Sequence, residues 1–222
     1  NDNYHPKLSS TVAVYIRPLD HKEGYILPIE HTEGLNLSID KVQSVLNCFD
    51  VKYVVNKKNY LYHFRGKGII DLALVYSLKN YETLQLPNAP QSINWYYNKY
   101  RDNPELNKII PLTKLFEKCE RNYRSVEDLF EQSKEVVGTD YWKFYNQVAA
   151  GVYYLMEQSG LSIKEEEFID LFKPNNPKYS IDQGKVYTSY NPYNITSRPT
   201  NAFNSVNFAA IPKTHAHREV FT

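Results

Sequence analysis

The sequence predicts an α/β protein on three observations. Two β-rich runs, Thr11 to Ile16 and Gly24 to Ile29, enclose the polar stretch Leu19-Asp20-His21-Lys22-Glu23. An amphipathic helix, a third β-rich run and a strongly apolar stretch follow within residues 38–78. From Ile109 onward the apolar residues recur at helical spacing.

The first two runs and their polar connection predict a hairpin. Ser38 is a good N-cap for a helix from Ile39 to Phe49, with Ile39, Val42, Val45 and Leu46 on one face. Lys52-Tyr53-Val54-Val55 reads as a strand, and Ile69 to Leu78, apolar around Asp71, as a buried helix. Residues 80–108 form a connector punctuated by Pro87, Pro90 and Pro104. Its cluster Trp95-Tyr96-Tyr97-Asn98-Lys99-Tyr100-Arg101 reads as an amphipathic helix docking its rings on the core; stacking of bases is the alternative.

Pro111 suits the first turn of a helix over Leu112 to Tyr123. Ser125 with Asp128 predicts a capping box for Val126 to Val137, ended by Gly138. Thr139 caps the longest helix, Asp140 to Ser159, which Gly160 closes. Its apolar face, including Tyr141, Trp142, Tyr145, Val148, Val152, Leu155 and Met156, predicts a buried helix. Ser162 and Glu165 predict a second box, for Ile163 to Phe172, with Glu165, Glu166 and Glu167 on a solvated face. Lys185 to Tyr190 alternates like a strand.

A formal charge of +1 leaves nucleic-acid binding, if present, to local patches. Cys48 and Cys119 are isolated and form no zinc or disulfide framework, which with no secretory signal predicts a reduced, cytoplasmic protein. No apolar run approaches the roughly 20 residues of a membrane span, so no membrane partner is expected. The polar opening Asn1 to Pro6 and the ending at Val220-Phe221-Thr222 read as a piece of a longer polypeptide.

One basic patch stands out. Residues 195–213 contain no acid, two cations and many amides and hydroxyls. Pro199 biases Arg198 toward extended backbone. Val206, Phe208 and Ile211 are apolar anchors. An extended ribbon displaying Arg198, Asn201 and Asn207 suits the DNA minor groove, where donors meet acceptors common to every base pair.

The order Thr196-Ser197-Arg198-Pro199-Thr200-Asn201, then Val206-Asn207-Phe208-Ala209-Ala210-Ile211-Pro212, then Arg218-Glu219-Val220-Phe221, resembles a segment of family A DNA polymerases of the bacterial polymerase I type. There a T-G-R-L-S-S run leads to P-N-L-Q-N-I-P, shortly before the first palm aspartate. The resemblance departs at Ser197, where glycine is usual, and at Ala209-Ala210, which replace Gln-Asn. Val152 to Ile163 resembles the family's L-x-x-M-E-x-x-G-x-x-V-D, where thumb passes into palm. Tyr25 to His31, Val55 to Tyr60 and Ile70-Asp71-Leu72 resemble, in the family's order, the Y-I-P-x-x-H, N-x-K-Y-D and D-T-M runs of its 3′–5′ exonuclease domain.

The resemblance implies a ribonuclease H-like, exonuclease-like domain with connector over 1–108. Reduced thumb-like helices over 109–150 and the start of the palm over 151–222 complete it. The primer-template contacts would be Thr196, Arg198, Asn201, Asn207, Lys213 and Arg218. The catalytic carboxylates, their Mg²⁺ ions and the deoxynucleoside triphosphates would belong to the full-length polymerase, beyond Thr222, with no catalytic or metal-binding residue in this chain. Exonuclease chemistry needs carboxylates around two metals. The chain has no D-x-E, and Tyr60 stands where the N-x-K-Y-D aspartate would fall, so proofreading is expected to be lost. Two alternatives remain: an active nuclease of ribonuclease H-like fold drawing on Glu30, His31, Glu33 and Asp71, and a non-catalytic nucleic-acid-binding protein.

Overall fold

The computed structural model describes residues 5–100, 103, 105–174, 176–191, 193, 200–201 and 207–222, without the side chains of 149, 150, 200, 201 and 209. The fold is mixed α/β. Strands β1 (Ala13–Ile16) and β2 (Tyr25–Pro28) form the expected antiparallel hairpin, Ala13 facing Pro28 and Ile16 facing Tyr25. Alternation sends Val14 and Ile16 toward helix α1 (Ile39–Asn47), where they pack around Val42, Leu46 and Phe64. Tyr15 points the other way and meets Phe116 at a ring distance of 5.8 Å. Ser38 caps α1, its Oγ accepting from the Lys41 N–H at 3.3 Å. The buried face of α1 is narrower than its sequence indicates: Val42 and Leu46 are buried, whereas Ile39 and Val45 are exposed.

Strand β3 (Lys52–Val54), helix α2 (Lys57–Leu61) and strand β4 (Ile69–Asp71) form a parallel unit, with Lys52 facing Ile69 and Val54 facing Asp71. The helix expected from Ile69 therefore starts later, as α3 (Leu72–Asn80). A short apolar run suits strand or helix. Here the Asp71 carboxylate decides, accepting from the Ala73 N–H at 3.0 Å as the N-cap, which places Asp71 outside the helix. Gly68, at φ +66°, makes the turn into β4; a Cβ there would lie 1.8 Å from the Asp50 carbonyl oxygen.

Helices α4 (Gln91–Lys99) and α5 (Leu106–Ile109) pack Ile93 and Leu106 with Ile110. The aromatic cluster is on α4 as expected, and Trp95 stays half exposed with the Lys99 ammonium 4.6 Å from its ring. Helix α6 (Leu112–Val126) runs past Ser125, and α7 (Asp128–Val136) follows with no side-chain cap. The expected capping box does not form, because the Ser125 hydroxyl donates back to the Asn122 carbonyl inside α6. Gly138 ends α7 at φ +95° and Thr139 caps α8 (Asp140–Gln147), both as read from the sequence.

The long helix continues through a π-helical turn at Val148–Tyr153 into α9 (Tyr154–Ser159). It is not the broadly buried helix expected. Trp142 and Glu157 are buried, but Tyr141 is 74 % and Leu155 62 % exposed. A π turn inserts an extra residue and rotates the downstream face, so one periodic stripe cannot stay buried along the whole helix. Gly160, at φ +60°, turns the chain where a Cβ would lie 2.7 Å from the Tyr187 ring.

Strand β5 (Leu161–Ser162), helix α10 (Glu165–Phe172), and strands β6 (Ile181–Asp182) and β7 (Lys185–Val186) make an antiparallel three-stranded sheet, ordered β5-β7-β6, with α10 against it. Ser162 pairs with Lys185 in that sheet, so the second expected capping box is absent too. The acidic first turn of α10 is exposed as expected. Alternation fails at 186–189, where Val186, Tyr187, Thr188 and Ser189 are all buried. Strand β8 (Tyr190–Asn191) pairs antiparallel with β9 (Thr200–Asn201), and helix α11 (His215–Glu219) closes the described chain. One core cluster joins Ala73, Leu74 and Val75 of α3 to Val136, Trp142 and Tyr193, so the early, middle and late parts of the chain share a core.

Candidate nucleic-acid interface

The approach to the candidate segment is fixed by two buried polar knots. In the first, the Lys58 ammonium donates to Glu157 Oε1 at 2.5 Å, to Ser189 Oγ at 3.1 Å and to the Tyr190 carbonyl at 2.5 Å, which uses its three protons. Glu157 also accepts from the Tyr190 N–H at 2.6 Å and the Tyr62 hydroxyl at 2.8 Å. Burial pulls the Lys58 ammonium below the usual lysine range, and the Glu157 charge opposes that pull. Tyr62 is pushed up by burial and by the same carboxylate.

His5 lies beside this knot. Its Nε2 donates to the Thr188 carbonyl at 3.0 Å, and its Nδ1 accepts from the Lys7 N–H at 3.3 Å. A carbonyl only accepts and an amide N–H only donates, so the ring is the neutral Nε2–H tautomer. Burial holds its pKa down at about 4.

The second knot is Asp71. It accepts from the backbone N–H groups of Asn56 at 3.0 Å and Lys57 at 2.8 Å, besides Ala73, and from the Tyr193 hydroxyl. Asn56 adopts a left-handed backbone, φ +69°, that turns these N–H groups toward the carboxylate. Burial raises the Asp71 pKa while these hydrogen bonds counter it, and Tyr193 is pushed up by burial and by Asp71. The Tyr193 carbonyl accepts from Thr83 at 2.8 Å. Thr188, Ser189, Tyr190 and Tyr193 are thus each tied to the first half of the chain.

From this fixed stretch the chain enters β8 and returns in β9. Thr196 and Arg198 lie between the two strands in sequence and outside the described residues. Asn201 is described only through its backbone, paired with Tyr190. Asn207 is exposed, its carbonyl accepting from the Ala210 N–H at 3.0 Å. Phe208 is the anchor expected of it: its ring lies 6.0 Å from that of Phe221. Lys213 and Arg218 are exposed, and among the described residues neither has an ion-pair partner. The terminal segment is held by buried Val220, by Lys164 N–H donating to the Val220 carbonyl at 2.8 Å, and by Thr222 N–H donating to Ser162 at 3.0 Å. Lys213 and Arg218 therefore stand as exposed cations on one anchored terminal segment, which exposed Asn207 opens.

The groups considered for a nuclease have other partners. His31 is buried, Nε2 donating to the Ile110 carbonyl at 2.8 Å and Nδ1 accepting from the Glu33 N–H at 2.9 Å. The Glu33 carboxylate accepts from the Leu112 N–H at 3.0 Å, and Glu30 lies 3.5 Å from the Lys108 ammonium. Asp71 is enclosed in its own knot. Tyr60 is half-buried and rests against Phe64 at a ring distance of 5.6 Å. Among the described residues no three His, Cys, Asp or Glu side chains gather as a metal site would require.

Sequence reading missed Lys58, Glu157 and His5 as a unit. The one signal available was a glutamate on an otherwise apolar helical stretch. Among the described residues no helix is long and apolar enough to cross a membrane. No family model matches the chain, and none of the curated proteins matches it.

Proposed function

We propose that this chain is the front part of a family A DNA-directed DNA polymerase, positioning primer-template duplex. The observation that carries the reading is the candidate segment: the run Thr196 to Phe221 follows a stretch clamped by Lys58, Glu157 and Asp71, and ends in exposed Lys213 and Arg218. A clamped approach suits an element that must hold DNA in one register. The hairpin β1-β2, the helix α1 and the parallel β3-α2-β4 unit support a ribonuclease H-like portion. In this reading that portion has lost proofreading and is kept as a scaffold, Asp71 serving the fold and not a metal.

The chain's own residues bind and orient. Arg198, with Thr196, Asn201 and Asn207, would donate to minor-groove acceptors without regard to sequence. Lys213 and Arg218 would neutralise phosphates. Mg²⁺ and the nucleotide would act at palm carboxylates in the full-length enzyme and supply the phosphoryl-transfer chemistry there. Arg198→Ala tests the reading. By fluorescence anisotropy it is expected to weaken duplex binding at every sequence by about 1–3 kcal/mol, the scale of a good groove contact. Unchanged affinity in a correctly folded variant refutes the role given to this stretch.

A further inference from the structure

Helix α4 divides its side chains between two faces. Ile93 is buried with Leu106 and Ile110, and Tyr96, Tyr97 and Tyr100 pack beside it. The opposite stripe, Gln91, Asn94, Trp95, Asn98 and Lys99, keeps helical spacing and is exposed throughout. An exposed helical stripe ordinarily carries acid–base pairs, as Lys114 and Glu117 do on α6 and Lys134 and Glu131 on α7. This stripe has no acid. Residues 83–101 contain none, against two cations and five amides.

Trp95 is the centre of the stripe. It is 53 % exposed, and Tyr96 and Tyr100 stand nearly perpendicular to it at ring distances of 4.8 and 6.1 Å, which holds the indole in one orientation. The Lys99 ammonium lies 4.6 Å from the Trp95 ring and 5.1 Å from the Tyr100 ring. Among the described residues no carboxylate pairs with Lys99, and the side chains of Gln91, Asn94 and Asn98 make no hydrogen bond within the chain. Asn is also a poor helix former, so Asn94 and Asn98 do nothing for α4 that accounts for them there.

We propose that the outer face of α4 binds single-stranded nucleic acid, one base stacking on Trp95 and an adjoining phosphate meeting Lys99. An open indole with a cation beside it matches the two things every nucleotide offers, a π-face and a negative charge. The amides of Gln91, Asn94 and Asn98 can both donate to and accept from base edges. The occupant is a single strand and not a duplex, because a base inside a duplex has both faces covered by its neighbours and offers none to a ring. An acidic partner protein would use Lys99 but gives no reason for an oriented ring flanked by amides. The inference does not rest on the polymerase reading, since α4 shares no residue with the segment 195–213.

The test is titration of the whole chain at low salt with oligothymidylate and oligouridylate of about twelve nucleotides, within the usual span of a single-strand site. Of the two tryptophans Trp142 is buried, so quenching of tryptophan fluorescence reports on Trp95. Quenching by either strand is expected, and the tighter of the two names the source. By anisotropy, Trp95→Ala is expected to weaken binding roughly tenfold or more, the scale of one lost stack. Trp95→Phe is expected to keep most of the affinity while losing the quench, and Lys99→Ala to lower the log–log salt slope by about 0.7. Lys213→Ala with Arg218→Ala is expected to leave the quench in place, so that this site and the duplex site fail separately. No quenching by either strand overturns the proposal and leaves the face to a protein partner. Unchanged affinity in Trp95→Ala, equal binding of a strand of abasic nucleotides, or loss of the quench in the Lys213→Ala, Arg218→Ala variant overturns it as well.

Discussion

Lys58 and Glu157 are 99 positions apart in sequence and 2.5 Å apart in space, with almost no solvent access on either side chain. Removing one partner of such a pair strands the other charge in the interior. Lys58→Met is therefore expected to cost about 3–5 kcal/mol in denaturant unfolding. Lys58→Met with Glu157→Gln, which leaves no buried charge, is expected to recover part of that loss; no recovery would mean that the charge is not what the single variant exposes. His5 adds a pH dependence whose sign is fixed. Its folded pKa, about 4, lies below the unfolded value of 6.5, so the unfolded chain takes up a proton first as pH falls. The contribution is fully present above pH 6.5 and is lost progressively down to about pH 4. Unfolding measured across that window is expected to show a smaller acid loss for His5→Gln than for the parent. These groups were illegible in the sequence because their partners come from distant segments, 183 positions away for His5 and Thr188.

At the scale of elements, local chemistry was legible and competition between neighbours was not. Ser38, Thr139, Gly138 and Gly160 act as their types require, since a cap needs only the adjacent turn. The boxes at Ser125 and Ser162 fail because α6 continues through one and a strand claims the other. Asp71 ended a strand as well as starting a helix, which an apolar run alone does not reveal. Helix α1 offers a direct test of packing. Leu46 is 7 % exposed against Val14, Ile16 and Phe64, so Leu46→Ala is expected to cost about 2–5 kcal/mol. Its exposed neighbour Val45 is expected to tolerate alanine within about 0.5 kcal/mol. Equal losses in thermal or denaturant unfolding would mean that the helix presents a different face.

On the scale of the whole molecule, the shared core of α3, α7, α8 and Tyr193 supports one mechanical role: the first half of the chain holds the stretch leading to the candidate interface. The α/β class was legible from its alternating elements, but the cross-connections that make the approach rigid were not. The near-neutral total charge gives no global attraction to DNA, so the proposed binding would rest on a few local cations. The most direct measurement of that claim is the salt dependence of affinity for labelled primer-template duplex, for the parent chain and for Lys213→Ala with Arg218→Ala. The parent is expected to bind all sequences alike, more weakly as salt rises. The double variant is expected to lower the log–log slope by about one per cation, about two in total. No duplex binding by the parent at low salt, or the same slope in both proteins, would contradict the proposed role.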